Sequence, residues 1–241
     1  MRILIVRHGD PDYSIDSLTP KGRVEAELLS DRLSKTKIDY CYVSPLGRAR
    51  HTAQYTLDKI GKEATVCPWL REFAARIERP DREESIAWDW RPKDWVNIDV
   101  LYDHEKWYDE PRMAAGNVKD EYLWVANGLD ELLKGHGYER CGRYYKAVRP
   151  NDDTLVFFCH FGLECVLLGH MLNISPMQLW HGFCAAPTSV TTIYTEEREE
   201  GIASFRVSSF GDISHLYVAG EKPSFSARFC ETYNNPEQRH D

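Results

Sequence analysis

Ile3-Leu4-Ile5-Val6-Arg7-His8-Gly9 is the stretch from which the fold reads outward. Four aliphatic residues run without a polar break. They then meet a cation, an imidazole and a glycine, with Pro11 just beyond. A short apolar run bounded by turn residues predicts a strand buried on both faces, as in a parallel sheet. The strongest buried strand predicted in the chain is Thr154-Leu155-Val156-Phe157-Phe158-Cys159. That run also ends at an imidazole, in His160-Phe161-Gly162, where a helix through Leu163, Val166, Leu167 and Met171 begins.

The intervening sequence alternates in the same way. Thr19 is a predicted N-cap with Pro20 at the first helical position, and Val24, Leu28, Leu29 and Leu33 follow near helical spacing. Lys37 to Val43 predicts a second strand, ending at Ser44-Pro45. A helix from about Leu46 to Ile60 stops at Gly61, and a short strand is expected near Ala64 to Cys67. From about residue 73 to 130 the rhythm is lost. This stretch holds Trp88, Trp90, Trp95, Trp107 and Trp124 and is broken by Pro80, Pro92 and Pro111. It reads as a cap inserted into one domain spanning 1–241. A helix is expected to resume by Tyr122 and to continue, with interruptions, to about Val148. Ser189 to Tyr194 and Ile202 to Val207 predict a closing hairpin, and the tail after Pro223 is aromatic and irregular. The expected fold class is α/β. Its three layers are a mostly parallel sheet with helices on both faces, and a Trp-rich cap is added. Ligands in such sheets bind at the carboxyl ends of the strands.

Composition narrows the function classes. The 241 residues are 42% hydrophobic and 28% charged, with a formal charge of −8. An acidic chain of this kind does not predict nucleic-acid binding. Seven cysteines without a C-x-x-C fit a reducing compartment rather than a disulfide framework. No apolar stretch approaches the ~18 residues of a membrane span, so a cytoplasmic location without membrane partners is the expectation. Neither a P-loop nor H-E-x-x-H occurs, and no metal or other cofactor is expected.

Two strands ending in Arg7-His8 and His160 concentrate cations where an anion would bind. A further segment, Ser44-Pro45-Leu46-Gly47-Arg48-Ala49-Arg50-His51-Thr52-Ala53, follows the second strand and opens a helix. Arg48 falls in its first turn, where free N–H groups and the helix dipole also favour anions. Together with LTPKGRVEAELLSDRL at 18–33, LRE at 70–72 and VFFCHFG at 156–162, these segments resemble the histidine phosphatase superfamily, which includes the cofactor-dependent phosphoglycerate mutases. They come in that family's order and span both ends of the regular core.

The resemblance implies a metal-independent phosphatase in which His8 is the nucleophile and becomes a phosphohistidine. Arg7, Arg48 and His160, the last protonated, neutralise the phosphoryl oxygens, and backbone N–H groups at Phe161 and Gly162 assist. A neutral imidazole suits the nucleophile, because neighbouring arginines hold its pKa down; its second ring nitrogen is expected to donate to a backbone carbonyl. One branch of the family takes its general acid from an aspartate after the second histidine. Here Phe161 stands in that place; the other branch uses a glutamate after the third strand, which Glu72 in Leu70-Arg71-Glu72 matches, so the resemblance implies Glu72 as the acid, with Glu78, Asp81, Glu83 and Glu84 as nearby rivals. The family's Trp-Asn pair is replaced by Tyr13-Ser14, which leaves Ser14 a weaker phosphate contact. Asp10 and Asp12 either face away from the anion site or meet the polar end of a substrate. Cys159 reads as packing. Arg76, Arg79 and Arg82 are either readers of a second anionic group or solvent-exposed. Three functions follow in order of preference: a phosphomonoesterase acting on a small phosphorylated metabolite, a phosphoglycerate-type mutase, and a non-catalytic phospho-ligand module.

Overall fold

The computed structural model describes residues 1–226 and 230–238. Its centre is an eight-stranded sheet: β1 (Arg2–Arg7), β2 (Tyr40–Val43), β3 (Thr65–Val66), β4 (Tyr138–Cys141), β5 (Tyr144–Ala147), β6 (Thr154–Cys159), β7 (Val190–Glu199) and β8 (Ile202–Asp212). The spatial order is β3-β2-β6-β1-β7-β8-β5-β4. From β3 to β1 every pairing is parallel, and from β1 onward every pairing is antiparallel. Six of the eight strands point the same way, and β7 and β5 run against them.

Period-two alternation along the buried strands divides the core into two layers. Ile3, Ile5, Leu155 and Phe157 join one apolar cluster, while Leu4, Val6, Val156 and Phe158 join the other. Helices α1 (Pro20–Leu33) and α2 (Gly47–Ile60) cover the second face through Leu29, Leu33, Ala53 and Leu57. Helices α3 (Val118–Gly135) and α4 (Phe161–Leu172) cover the first through Val125, Leu129, Leu163 and Val166. Thr19 caps α1 as expected, accepting from Gly22 N–H at 3.0 Å, and α2 ends at Gly61 in the left-handed conformation.

One expectation changes, and the segment at 73–130 takes a defined form. Within 73–130 the chain forms a hairpin, Arg76–Arg79 with Arg82–Ile86, short helical turns and the start of α3. Trp90, Trp95 and Trp107 are buried in the same cluster as Ile3 and Ile5, Trp88 is partly buried, and Trp124 is exposed. The helix expected from Tyr122 to about Val148 instead begins at Val118 and stops at Gly135, and β4 and β5 form a hairpin in its place. Gly137 enforces the break. Its φ is +93°, and a Cβ there would lie 2.5 Å from the Arg149 carbonyl oxygen. Of the expected irregular tail, residues 227–229 and 239–241 lie outside the described residues.

Candidate active site

Register brings the site together. Arg7 lies beside Cys159 and Val43 beside Phe158, so the residues that follow β1, β6 and β2 emerge at one edge of the sheet. They are His8, His160 and Ser44. The two imidazoles sit with ring centroids 5.1 Å apart, and all three residues are at most 2% exposed.

His8 Nδ1 is 2.7 Å from the Gly9 carbonyl oxygen. A carbonyl only accepts, so the proton is on Nδ1 and the lone pair is on Nε2. The main chain fixes this arrangement. His8 N–H donates to the Cys159 carbonyl, Gly9 N–H donates to Thr52 Oγ1, and the His8 carbonyl accepts from Thr188 N–H. Burial, reinforced by Arg7 and Arg48, holds the His8 imidazole well below its ordinary pKa, so the ring is neutral.

Arg7 is 6% exposed and donates to the carbonyls of Ala185 at 2.5 Å and Ser226 at 3.3 Å. Its Nε has no partner among the described residues, and neither does Nε of Arg48. Arg48 is tied to Asp16 at 2.7 Å, and its guanidinium lies 5.4 Å from the Tyr13 ring centroid. Asp16 also accepts from Gly47 N–H, which closes the first turn of α2. The Phe161 ring centroid is 6.0 Å from the Arg7 guanidinium carbon.

Glu72 approaches from the chain after β3. Its Oε1 accepts from Phe73 N–H and from Leu163 N–H in the first turn of α4, both at 2.9 Å. Burial raises its carboxyl above the ordinary value, and these two bonds together with Arg7 and Arg48 offset part of the rise. The rivals are elsewhere. Asp81 is paired with Arg79 and Arg91, and Glu78, Glu83 and Glu84 are exposed. Arg79 is 4% exposed and bridges Asp81 and Asp89, so it is a structural cation.

The structure thus brings Arg7, His8, Arg48, Glu72, His160 and Phe161 toward one locus. Ser14 is not among them: it is exposed, and its hydroxyl donates to Asp12 at 2.6 Å. Asp10 accepts from the Thr19 hydroxyl at the start of α1 and from the hydroxyls of Ser224 and Ser226 in the C-terminal segment. His160 differs from its expected protonated state. Burial, with His8, Arg48 and Arg7 adding to it, lowers its pKa well below the ordinary value, so its ring is neutral. Cys159 is fully buried packing.

Sequence reasoning passed over Ser44, Asp16 and Glu164. Ser44 carried a signal, since it ends a strand as His8 and His160 do. Asp16 carried none. Glu164 lies in the first turn of α4, 1% exposed, with burial pushing its pKa up to about 7. Among the described residues no cluster of three His, Cys, Asp or Glu side chains is arranged to hold a metal ion, and no helix is long and apolar enough to cross a membrane.

Comparison with known proteins matches residues 3–110 to the Histidine phosphatase superfamily (branch 1). A 2-carboxy-D-arabinitol-1-phosphatase of Triticum aestivum is 30% identical over 175 residues, covering 63% of this chain and 35% of that protein. A "Probable phosphoglycerate mutase GpmB" of Serratia proteamaculans is 35% identical over 82 residues, covering 30% and 38%. The chain therefore spans little more than a third of the length of these curated relatives. A crystal structure of a phosphoserine phosphatase mutant from Entamoeba histolytica, in complex with phosphoserine, shares the fold with a TM-score of 0.59 at 21% identity, covering 89% of this chain and 98% of that one. The family model thus matches the part of the chain that carries Arg7, His8, Arg48 and Glu72, less than half of its length, and the likeness to the solved structure is one of fold.

Proposed function

We propose that the chain is a metal-independent phosphomonoesterase that works through a phosphohistidine on His8, with a small phosphorylated metabolite as substrate. The observation that carries this reading is the His8 tautomer. Nδ1–H is committed to the Gly9 carbonyl, which leaves Nε2 as a neutral nucleophile beside two arginines. In the first step Nε2 attacks phosphorus, the bond to the leaving oxygen breaks, and Glu72 gives that oxygen its proton. In the second step Glu72, now a carboxylate, takes a proton from water. The water oxygen attacks phosphorus, the N–P bond breaks, and phosphate leaves. Arg7, Arg48 and His160 hold the phosphoryl oxygens, whose charge is the main demand of phosphoryl transfer. In this reading residues 1–241 act as one unit, with 73–130 covering the strand ends.

The relatives named as phosphatases support a hydrolase. The test is a panel of phosphate esters, phosphoserine and sugar phosphates among them, assayed for free phosphate. Wild type is expected to release phosphate and His8→Ala to release none while keeping its melting transition. Full activity in His8→Ala would sink the nucleophile assignment. The similarity to a protein named as a phosphoglycerate mutase supports a second reading. Isomerisation of a phosphoglycerate with a bisphosphate primer, without free phosphate, would favour it over hydrolysis.

A further inference from the structure

Ser44 has no part in the scheme above, yet it is fully buried at the same edge of the sheet, and its side chain touches one of the two histidines. Its Oγ lies 2.7 Å from His160 Nε2. It also lies 3.2 Å from the backbone nitrogen of Leu46, which can only donate. Among the described residues these are the polar partners of that oxygen. A buried hydroxyl needs an acceptor for its hydrogen, because leaving one unpaired costs as much as a lost hydrogen bond. Leu46 N–H fills a lone pair, so His160 Nε2 is the acceptor that remains. A neutral imidazole that accepts at Nε2 carries its proton on Nδ1. His160 Nδ1 is the atom that is buried without a partner.

We propose that Ser44 is a positioning residue: its hydroxyl donates to His160 Nε2, fixes the ring as the Nδ1–H tautomer, and so turns an N–H donor toward the phosphoryl group. The two histidines then have complementary assignments, each set by a neighbouring oxygen. The Gly9 carbonyl holds the His8 proton on Nδ1 and frees Nε2 to attack. The Ser44 hydroxyl occupies His160 Nε2 and frees Nδ1–H to donate. Without Ser44, a neutral His160 has no reason to keep its proton on Nδ1, and the Nε2–H form presents a lone pair to an anion. The phosphoryl role of His160 rests on the function proposed above, whereas the tautomer does not.

The experiment is long-range ¹H–¹⁵N NMR of the histidine rings in the free full-length protein, with His160 assigned by His160→Gln. Wild type is expected to show the Nδ1–H form at His160, Ser44→Ala to shift toward Nε2–H, and Ser44→Thr to keep Nδ1–H. An Nε2–H ring in wild type overturns the proposal whatever the activity. In turnover of p-nitrophenyl phosphate, Ser44→Ala is expected to lose about ten- to a hundredfold in kcat/KM, the worth of one hydrogen bond to a charged group, and Ser44→Thr to recover most of it. The loss is expected to shrink toward acid pH, because an imidazolium carries a proton on both nitrogens. The charged and titratable groups that face His160 are His8 and Arg7 from β1 and its flank, and Arg48 from α2. A deficit in Ser44→Ala that is independent of pH, with its tautomer unchanged, would reduce Ser44 to packing. Failure of wild type to hydrolyse any ester, with the Nδ1–H form present, would sink the phosphatase reading and leave the tautomer assignment standing.

Discussion

At the scale of the residue, the site turns on two groups whose pKa values are pushed toward each other by their surroundings. A free histidine titrates near 6.5 and a free glutamic acid near 4.3. Burial moves them in opposite directions, because it disfavours the imidazolium and the carboxylate alike. His8 goes well down and Glu72 goes up. Both shifts favour the forms the chemistry needs, a neutral nucleophile and a protonated acid. Turnover is therefore expected to hold up below pH 6.5 and to fall as pH rises through the raised Glu72 value. Glu72→Gln is expected to slow esters with poor leaving groups by roughly a hundred- to ten-thousandfold, the usual worth of a general acid. The same change is expected to remove the alkaline limb of the kcat/KM profile. A surviving alkaline limb would assign the acid to another group.

At the scale of the element, α4 does more than cover the sheet. Its first turn holds the acid through Leu163 N–H, and it does so because Gly162 has no side chain. A Cβ at 162 would lie 2.7 Å from Trp88 Nε1 and 2.8 Å from Glu72 Oε1. Trp88 is in turn held by its bond to the Phe73 carbonyl at 2.8 Å. Gly162→Ala is expected to leave the fold intact, since alanine is the better helix former by ~0.5–1 kcal/mol. It is also expected to push Glu72 out of place. Kinetics on paired substrates check this: the loss should be larger for alkyl phosphates than for p-nitrophenyl phosphate, whose leaving group needs no proton. Equal losses on both would place the damage at the phosphate rather than at the acid. Loop and helix are joined in the same way at α2, where Asp16 binds both Gly47 N–H and Arg48.

At the scale of the whole molecule, the two-layer core buries ionisable groups along with the aliphatic ones. Glu164 is the clearest case. One of its oxygens has no partner, and its pKa rises from 4.5 to about 7. The folded state thus binds more protons than the unfolded chain between those values, and stability falls as pH rises through that window. Above it the loss is complete. Glu164→Gln is expected to be more stable than wild type at pH 8, by at most about 3 kcal/mol, with the gain vanishing below pH 4.5. Thermal melts at pH 8 and pH 4 check it. A gain of equal size at both would point to packing rather than charge.

What the sequence by itself determined was the frame. The unbroken apolar runs Ile3-Leu4-Ile5-Val6 and Leu155-Val156-Phe157-Phe158 specified strands buried on both faces, because neither face offers a polar residue to water. The turns at Gly9 and Gly162 marked where those strands end, beside Arg7, His8 and His160, and the resemblance to the histidine phosphatase superfamily added Arg48 and Glu72 to the expected set. Partnership was not legible, because strand register and crossover connections set it over long stretches of chain. Asp16 reaches Arg48 across 32 residues, Ser44 reaches His160 across 116, and the Ser226 carbonyl reaches Arg7 across 219. Only the tertiary structure decided that Ser14 turns to Asp12 and that residues 138–147 pair as strands. It alone decided, too, which oxygen holds each imidazole. A histidine's chemistry depends on which of its nitrogens carries the proton, and that depends on a neighbour the local sequence does not name.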